Sequence, residues 1–190
     1  FLPGIYIAIL SFHYYAVPLT MLVTLAESRA KVPLHPIMEA LIMELTLELI
    51  RESSVRLPTY VGSAVGIVGG IVIGQAAVQA GLVSNLMVIV VAVTAIASFT
   101  TPNYDMGLAI RLLRFIVMIC ASVFGLIGIV VVGVIIMAHL VSIASLGQPY
   151  MQPLVPFKYK GLKDTIVRFP LPMQRKRPEV AQPVDKKRGK

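Results

Sequence analysis

The stretch VGSAVGIVGGIVIGQAAVQAG, residues 61–81, decides the fold class. Gly62, Gly66, Gly70 and Gly74 recur every fourth residue. On a helix that spacing lines them along one face as a groove without side chains. In water such a run makes a poor helix, because each Gly costs roughly 0.5–1 kcal/mol relative to Ala. In lipid the backbone must satisfy its own hydrogen bonds, so helix is enforced, and the bare groove lets a second helix come close. The stretch therefore predicts a transmembrane helix whose Gly62, Gly66, Gly70 and Gly74 face packs against protein. A buried helix of a soluble protein is the bland alternative.

The totals agree with the lipid reading. The chain has 190 residues, of which 57% are hydrophobic and 14% charged, and its mean hydropathy is +0.83. These values fall in the membrane class. Phe1 stands in the middle of an apolar run, so the chain reads as a fragment whose preceding region could hold a whole domain. Residues 1–10 lack the basic start and small-residue cleavage site of a signal peptide. Cys120, the one cysteine, sits in an apolar run and reads as a small buried hydrophobe. No Cys/His cluster has metal-ligand spacing, so neither metal nor cofactor is expected.

Charge is placed unevenly. Residues 1–146 carry six basic and six acidic side chains, whereas residues 147–190 carry eleven basic and three acidic ones. A basic segment after a hydrophobic span is the positive-inside signature, with Arg175, Lys176 and Arg177 as topology determinants and a cytoplasmic C-terminus. The same segment suits anionic headgroups of the lipid bilayer. No nucleic-acid role is assigned to it.

Going along the chain, residues 1–25 are apolar and aromatic and read as the remainder of a first span, broken at Pro18. Residues 37–56 have helical periodicity. Ile37, Leu41, Leu45 and Leu49 mark one side, and Glu44, Glu48, Arg51 and Glu52 fall on another. They predict an amphipathic helix on the membrane surface, or one within the assembly with its acids towards water. Further spans are expected near residues 60–81, 83–100 and 113–145. Seven of the thirteen prolines lie in residues 147–190, which should be largely irregular. One amphipathic patch, Leu162, Ile166, Val167 and Phe169, suits the cytoplasmic membrane surface. The expected class is thus an all-α membrane protein of about four transmembrane helices, the first truncated, in a domain of residues 1–146. Counting back from a cytoplasmic tail puts residues 100–111 outside, the turn at 81–85 inside and residues 27–58 outside.

Motifs of dinucleotide binding, phosphate loops, serine hydrolases and zinc proteases are absent, and no enzyme activity is expected. The acids say more. Glu44, Glu48 and Glu52 step by four up one face of an otherwise apolar helix. A charge left in lipid costs several kcal/mol by order of magnitude, so that face must meet water, a partner or an ion. Two readings stand. One is a solvated face with Glu48–Arg51 and Glu52–Arg56 pairs. The other is a candidate ion pathway or gating element, because symmetry in an oligomer turns one stripe into rings of carboxylates, which select cations. Gln75 and Gln79 lie on one side of the glycine helix and suit hydrogen bonds to another helix.

EALIMELTLELIRESSVRLP (residues 39–58) and VGSAVGIVGGIVIGQAAVQAGLVS (61–84) together resemble the membrane region of the GerA-type spore germination proteins. IVVAVTAIASFTTPNYDMGLAIRLLRF (89–115), SLGQPYMQPLVPF (145–157) and KDTIVRFP (163–170) continue the resemblance, and LPGIYIAILSFH (2–13) fits it. It covers about residues 2–178. The segment HYYAVP (13–18) departs a little from the family's usual form.

The resemblance implies an A subunit of a nutrient germinant receptor in the spore inner membrane, with a large cytoplasmic N-terminal domain before the first span. It implies a homo-oligomer, a transporter-like B subunit and a lipoprotein C subunit as partners. It further implies a ligand-gated channel for monovalent cations. A stage V sporulation paralogue shares the region. A structural scaffold subunit and a secondary transporter subunit are the rival functions. No internal repeat of the transporter kind is visible in the sequence.

Overall fold

Prolines and small polar residues punctuate the chain into helices. Pro3 sits in the first turn of α1 (Leu2–Ser11), where its missing N–H would have had no partner anyway. A 3-10 turn (Tyr14–Ala16) leads to Pro18, which caps α2 (Leu19–Arg29). Pro36 opens α3 (Pro36–Arg56), and Pro58 caps α4 (Thr59–Gln79). The Ser84 hydroxyl accepts from the Met87 N–H at 3.2 Å and caps α5 (Asn85–Ser98). The last helix is α6 (Tyr104–Ser142). The computed structural model describes residues 1–56, 58–145, 147–157 and 170.

The expected first span, residues 1–25, is therefore two helices, and the break at Pro18 reaches back to Phe12. Across residues 83–100 the helix itself has 14 residues, roughly 21 Å at 1.5 Å per residue. Among the described residues one helix, Tyr104–Ser142, is long and apolar enough to cross a membrane by length and composition. It is two helical runs joined across a kink at Gly125, whose φ of 62° and ψ of −142° suit glycine alone. A Cβ on Gly125 would stand 2.7 Å from His13 Cε1, and one on Gly128 would collide with the Cys120 carbonyl.

The chain divides into two compact units. In the first, Phe1–Val132, α3 is the central element. It runs antiparallel to α4 and alongside α5, and its Ala40 and Met43 enter a core with Tyr6, Ile7, Val83, Met87, Val91 and Met118. This corrects the surface-helix alternative for residues 37–56. At 21 residues, roughly 31 Å, α3 is as long as α4 and carries the chain from one end of the unit to the other. The charge-derived topology is corrected with it. The Lys31 carbonyl oxygen stands 2.9 Å from where a Cβ on Gly81 would be, and Glu39 bonds the Ser84 N–H at 2.5 Å. Residues 31–39 and the turn at 81–84 therefore share one end of the bundle and cannot lie on opposite sides of a membrane. Counting charges missed this because it treated 27–58 as one extramembrane loop.

The second unit, Gly133–Lys190, contains the end of α6 and a small antiparallel ribbon. In it β1 (Ala144–Ser145) pairs with β2 (Gln148–Pro149), Ala144 opposite Pro149, an addition to the expected all-helical class. The amphipathic patch at 162–169 and Arg175, Lys176 and Arg177 lie outside the described residues.

Replacing Gly125 with Ala forces a Cβ into an unfavourable backbone region and onto His13, at a cost of about 1–3 kcal/mol. Gly133→Ala, with nothing within 4 Å of the added carbon, should be neutral or stabilising by up to roughly 1 kcal/mol. Thermal unfolding of the two variants in the same detergent compares them, and equal melting temperatures would contradict the constraint at Gly125.

Candidate functional site

The face of α3 that the sequence marks as acidic is turned inward at Glu44, half-exposed at Glu48 and exposed at Glu52. Glu39 is fully buried and Glu44 is 3% exposed, whereas Met38, Ile42, Leu45 and Leu49 face outward. Such a helix is inside-out by the standard of a water-soluble protein, where a buried charge or an exposed apolar face demands explanation.

Each buried acid has an arginine. At the start of α3, Arg29 donates to Glu39 Oε2 at 2.8 Å and to the Leu34 carbonyl at 2.9 Å. Glu39 Oε1 accepts the Ser84 N–H, and the Ser84 hydroxyl shares a 2.8 Å hydrogen bond with the Tyr6 hydroxyl. One cluster thus ties α1, the end of α2, α3 and the α4–α5 turn. A turn further on, Arg114 of α6 donates to Glu44 Oε2 at 2.5 Å, and both side chains are more than nine-tenths buried. The other oxygen, Glu44 Oε1, is buried without a hydrogen-bond partner. Next comes Glu48, which receives Arg111 of α6 at 2.7 Å and Arg51 at 3.4 Å. Arg51 reaches on to the Ser98 hydroxyl at 3.1 Å, which anchors the end of α5. Arg111 also bonds the Gly107 carbonyl and lies 5.6 Å over the Tyr104 ring. Glu52, at the far end, is exposed and pairs with Arg56 at 2.7 Å.

These rungs differ in weight. Removing one partner of a buried pair costs about 3–5 kcal/mol, because the other charge stays behind unpaired. An exposed pair four residues apart, such as Glu52–Arg56, contributes roughly 0.3–0.5 kcal/mol. The buried Glu44–Arg114 rung therefore does most to fix how α6 lies on α3, and the Glu48–Arg111 rung, with Glu48 39% exposed, contributes less.

The sequence-derived pairs Glu48–Arg51 and Glu52–Arg56 are both present. The long-range arginines were not assigned from sequence, and neither was Glu39. The available signal was spacing. Arg111 and Arg114, three apart, match Glu48 and Glu44, four apart, when two helices run antiparallel.

The glycine face is divided. Gly62 and Gly74 are buried, Gly74 with Val88 of α5 3.9 Å from its added Cβ position. Gly69, which the ladder of four does not include, faces Ile50 of α3 at 3.9 Å. Gly66 and Gly70 have nothing within 4 Å. Gln75 and Gln79 are exposed.

Comparison with known proteins places this arrangement. A family model described as Bacillus/Clostridium GerA spore germination protein matches residues 1–180. Spore germination protein KA of Bacillus subtilis (strain 168) is 49% identical over 186 residues, which is 98% of this chain and 34% of that protein. Spore germination protein A1 of the same strain is 48% identical over 187 residues, 98% of this chain and 38% of that protein. The uncharacterized membrane protein YfkQ, also from that strain, is 44% identical over 178 residues, 94% of this chain and 35% of that protein. The chain spans about a third of the length of these relatives. No solved structure matches. With nearly its whole length matched by one family and by relatives at close to half identity, the chain belongs to the Bacillus/Clostridium GerA family of spore germination proteins.

Proposed function

We propose that this chain is the membrane region of an A subunit of a spore nutrient germinant receptor, and that it oligomerises into a ligand-gated channel for monovalent cations. The observation that carries the membrane part is the inversion of the first half of α3, with Glu39 and Glu44 buried and Leu45 and Leu49 outside. The same pattern runs along α6, where Arg114 is buried while Ile116, Ile119, Val123, Phe124 and Ile127 are exposed. Lipid rewards that distribution and water penalises it. The spore inner membrane, about four spans, a transporter-like B subunit and a lipoprotein C subunit belong to this proposal. The names of the relatives as spore germination proteins support it.

Assembly of copies would use the open part of the glycine face. Gly66 and Gly70 meet nothing within 4 Å, and Ile71 and Val72 beside them are exposed. Conduction or gating falls to Glu44, Glu48 and Glu52. A scaffold role is the second reading, favoured by one fact: Glu44 and Glu48 are both already held by arginines.

Planar-bilayer recording of the purified oligomer separates the readings: stepwise conductance for a channel, none for a scaffold, substrate-coupled flux for a transporter. Gly66→Leu or Gly70→Leu should dissociate the oligomer in mild detergent and abolish germination. An intact oligomer with normal germination would remove this face from assembly. Glu48→Gln should change conductance or cation selectivity several-fold, and unchanged ion flux would leave the stripe a packing feature.

A further inference from the structure

A cavity of about 300 Å³ lies between α1, α2 and α5. Its walls include Tyr6, Ile9 and Leu10 of α1, Met21 and Leu25 of α2, and Leu86 of α5. That volume reaches the lower bound of small-molecule sites, and the lining is of their kind, mostly apolar with a few polar groups. The polar groups are the hydroxyls of Tyr6 and Thr24, and both are engaged. Tyr6 shares a hydrogen bond with Ser84, and Thr24 donates to the Thr20 carbonyl. A buried water needs about two to four polar partners, so water fills this space poorly. An empty space forfeits the contacts of every side chain around it. No residue of α2 is buried, so this helix stands off the bundle with the cavity beneath it. Arg29 holds its end through Glu39. Met21 and Thr24 are exposed, so the cavity opens outward along α2.

We propose that this cavity holds one acyl chain of a phospholipid whose headgroup carries a primary amine. The site rests on the membrane reading above. The apolar walls and the engaged hydroxyls call for a hydrocarbon chain, and the chain supplies α2 with the packing it lacks. Charge selects the headgroup. Thr24, Glu27 and Lys31 follow one another at steps of three and four, which is one stripe of a helix. Glu27 and Lys31 are exposed, and among the described residues neither forms an ion pair, with the other or with any third group. Arg29 between them is committed to Glu39. Lys31 stands at the end of the bundle that residues 31–39 share with the turn at 81–84, the level at which headgroups meet a spanning bundle. One acid and one base side by side complement a zwitterion. Lys31 takes the phosphate and Glu27 takes the ammonium. An anionic headgroup without an amine satisfies Lys31 alone and sets a like charge beside Glu27.

The test places the full-length receptor complex in nanodiscs of equal parts phosphatidylethanolamine and phosphatidylglycerol. Native mass spectrometry then counts the lipids kept on the A subunit. The unaltered complex should keep the amine lipid over the glycerol lipid by roughly five-fold, the weight of one charge contact at a membrane surface. Glu27→Gln should remove that preference, and Lys31→Gln should lower the retention of both lipids. Leu25→Trp fills the cavity and should reduce retained lipid of either kind several-fold. Thr24→Trp, at the exposed rim, gives the same readout if Leu25→Trp fails to fold. Equal retention of the two lipids by the unaltered complex overturns the site, as does full retention in a folded tryptophan variant. A Thr24→Cys, Cys120→Ser complex that forms a disulfide between two A subunits would put a second copy over the cavity and overturn it as well. A complex that stays outside the discs overturns the membrane reading and the site together. One that enters the discs and shows no preference overturns the site alone.

Discussion

The pair between Glu44 and Arg114 is the constraint on which the first unit depends. Neither charge can be left alone where it stands, because an unpaired ion in a low-dielectric interior costs several kcal/mol by order of magnitude. The two helices that carry them must therefore stay together. Once α3 and α6 are joined at that point, Glu48 and Arg111 fall into place one turn away. The register of α6, the depth of α3 and the inward turn of its acidic face are all consequences.

The same logic closes the ends of the bundle. Glu39 sits fully buried because two groups need it at once, the Arg29 guanidinium and the Ser84 N–H at the start of α5. The Tyr6 hydroxyl completes the cluster from α1 through Ser84. At the other end Arg51 bridges Glu48 and Ser98. Polar side chains thus tie four helices, α1, α2, α5 and α6, to α3 or to the turn beside it, while many large apolar side chains face outward around the small apolar core. In a soluble domain the division of labour is the opposite, with apolar cohesion inside and charge outside. Where lipid surrounds a bundle, charge pairing inside it is the more selective force, since apolar side chains are equally content against lipid or protein.

Glycines act at particular places. Gly125 breaks α6 in a conformation that other residues avoid, and its missing side chain makes room for His13. Gly81 lets the α4–α5 turn come up against the Lys31 carbonyl. The open stretch at Gly66 and Gly70 is of another kind, since the backbone there is helical and only the surface is bare. The first two glycines shape the fold within the chain. The last two shape nothing within it, since an added Cβ there meets no atom within 4 Å.

Sequence alone determined that the chain is helical, that Pro18, Pro36 and Pro58 delimit its helices, and that Glu48–Arg51 and Glu52–Arg56 pair locally. Each of these follows from covalent geometry or from a spacing of three or four residues. The family was also legible, because strings such as EALIMELTLELIRESSVRLP carry more identity than any single motif. Tertiary structure decided what lies across the bundle: that Arg111 and Arg114, some sixty to seventy residues away, neutralise Glu48 and Glu44, that Glu39 is the buried hub, and that residues 31–39 share an end with the turn at 81–84. Periodicity shows that a face is different but not whether water or an opposite charge will meet it. That choice is made by which helix comes to lie alongside, and only packing determines it.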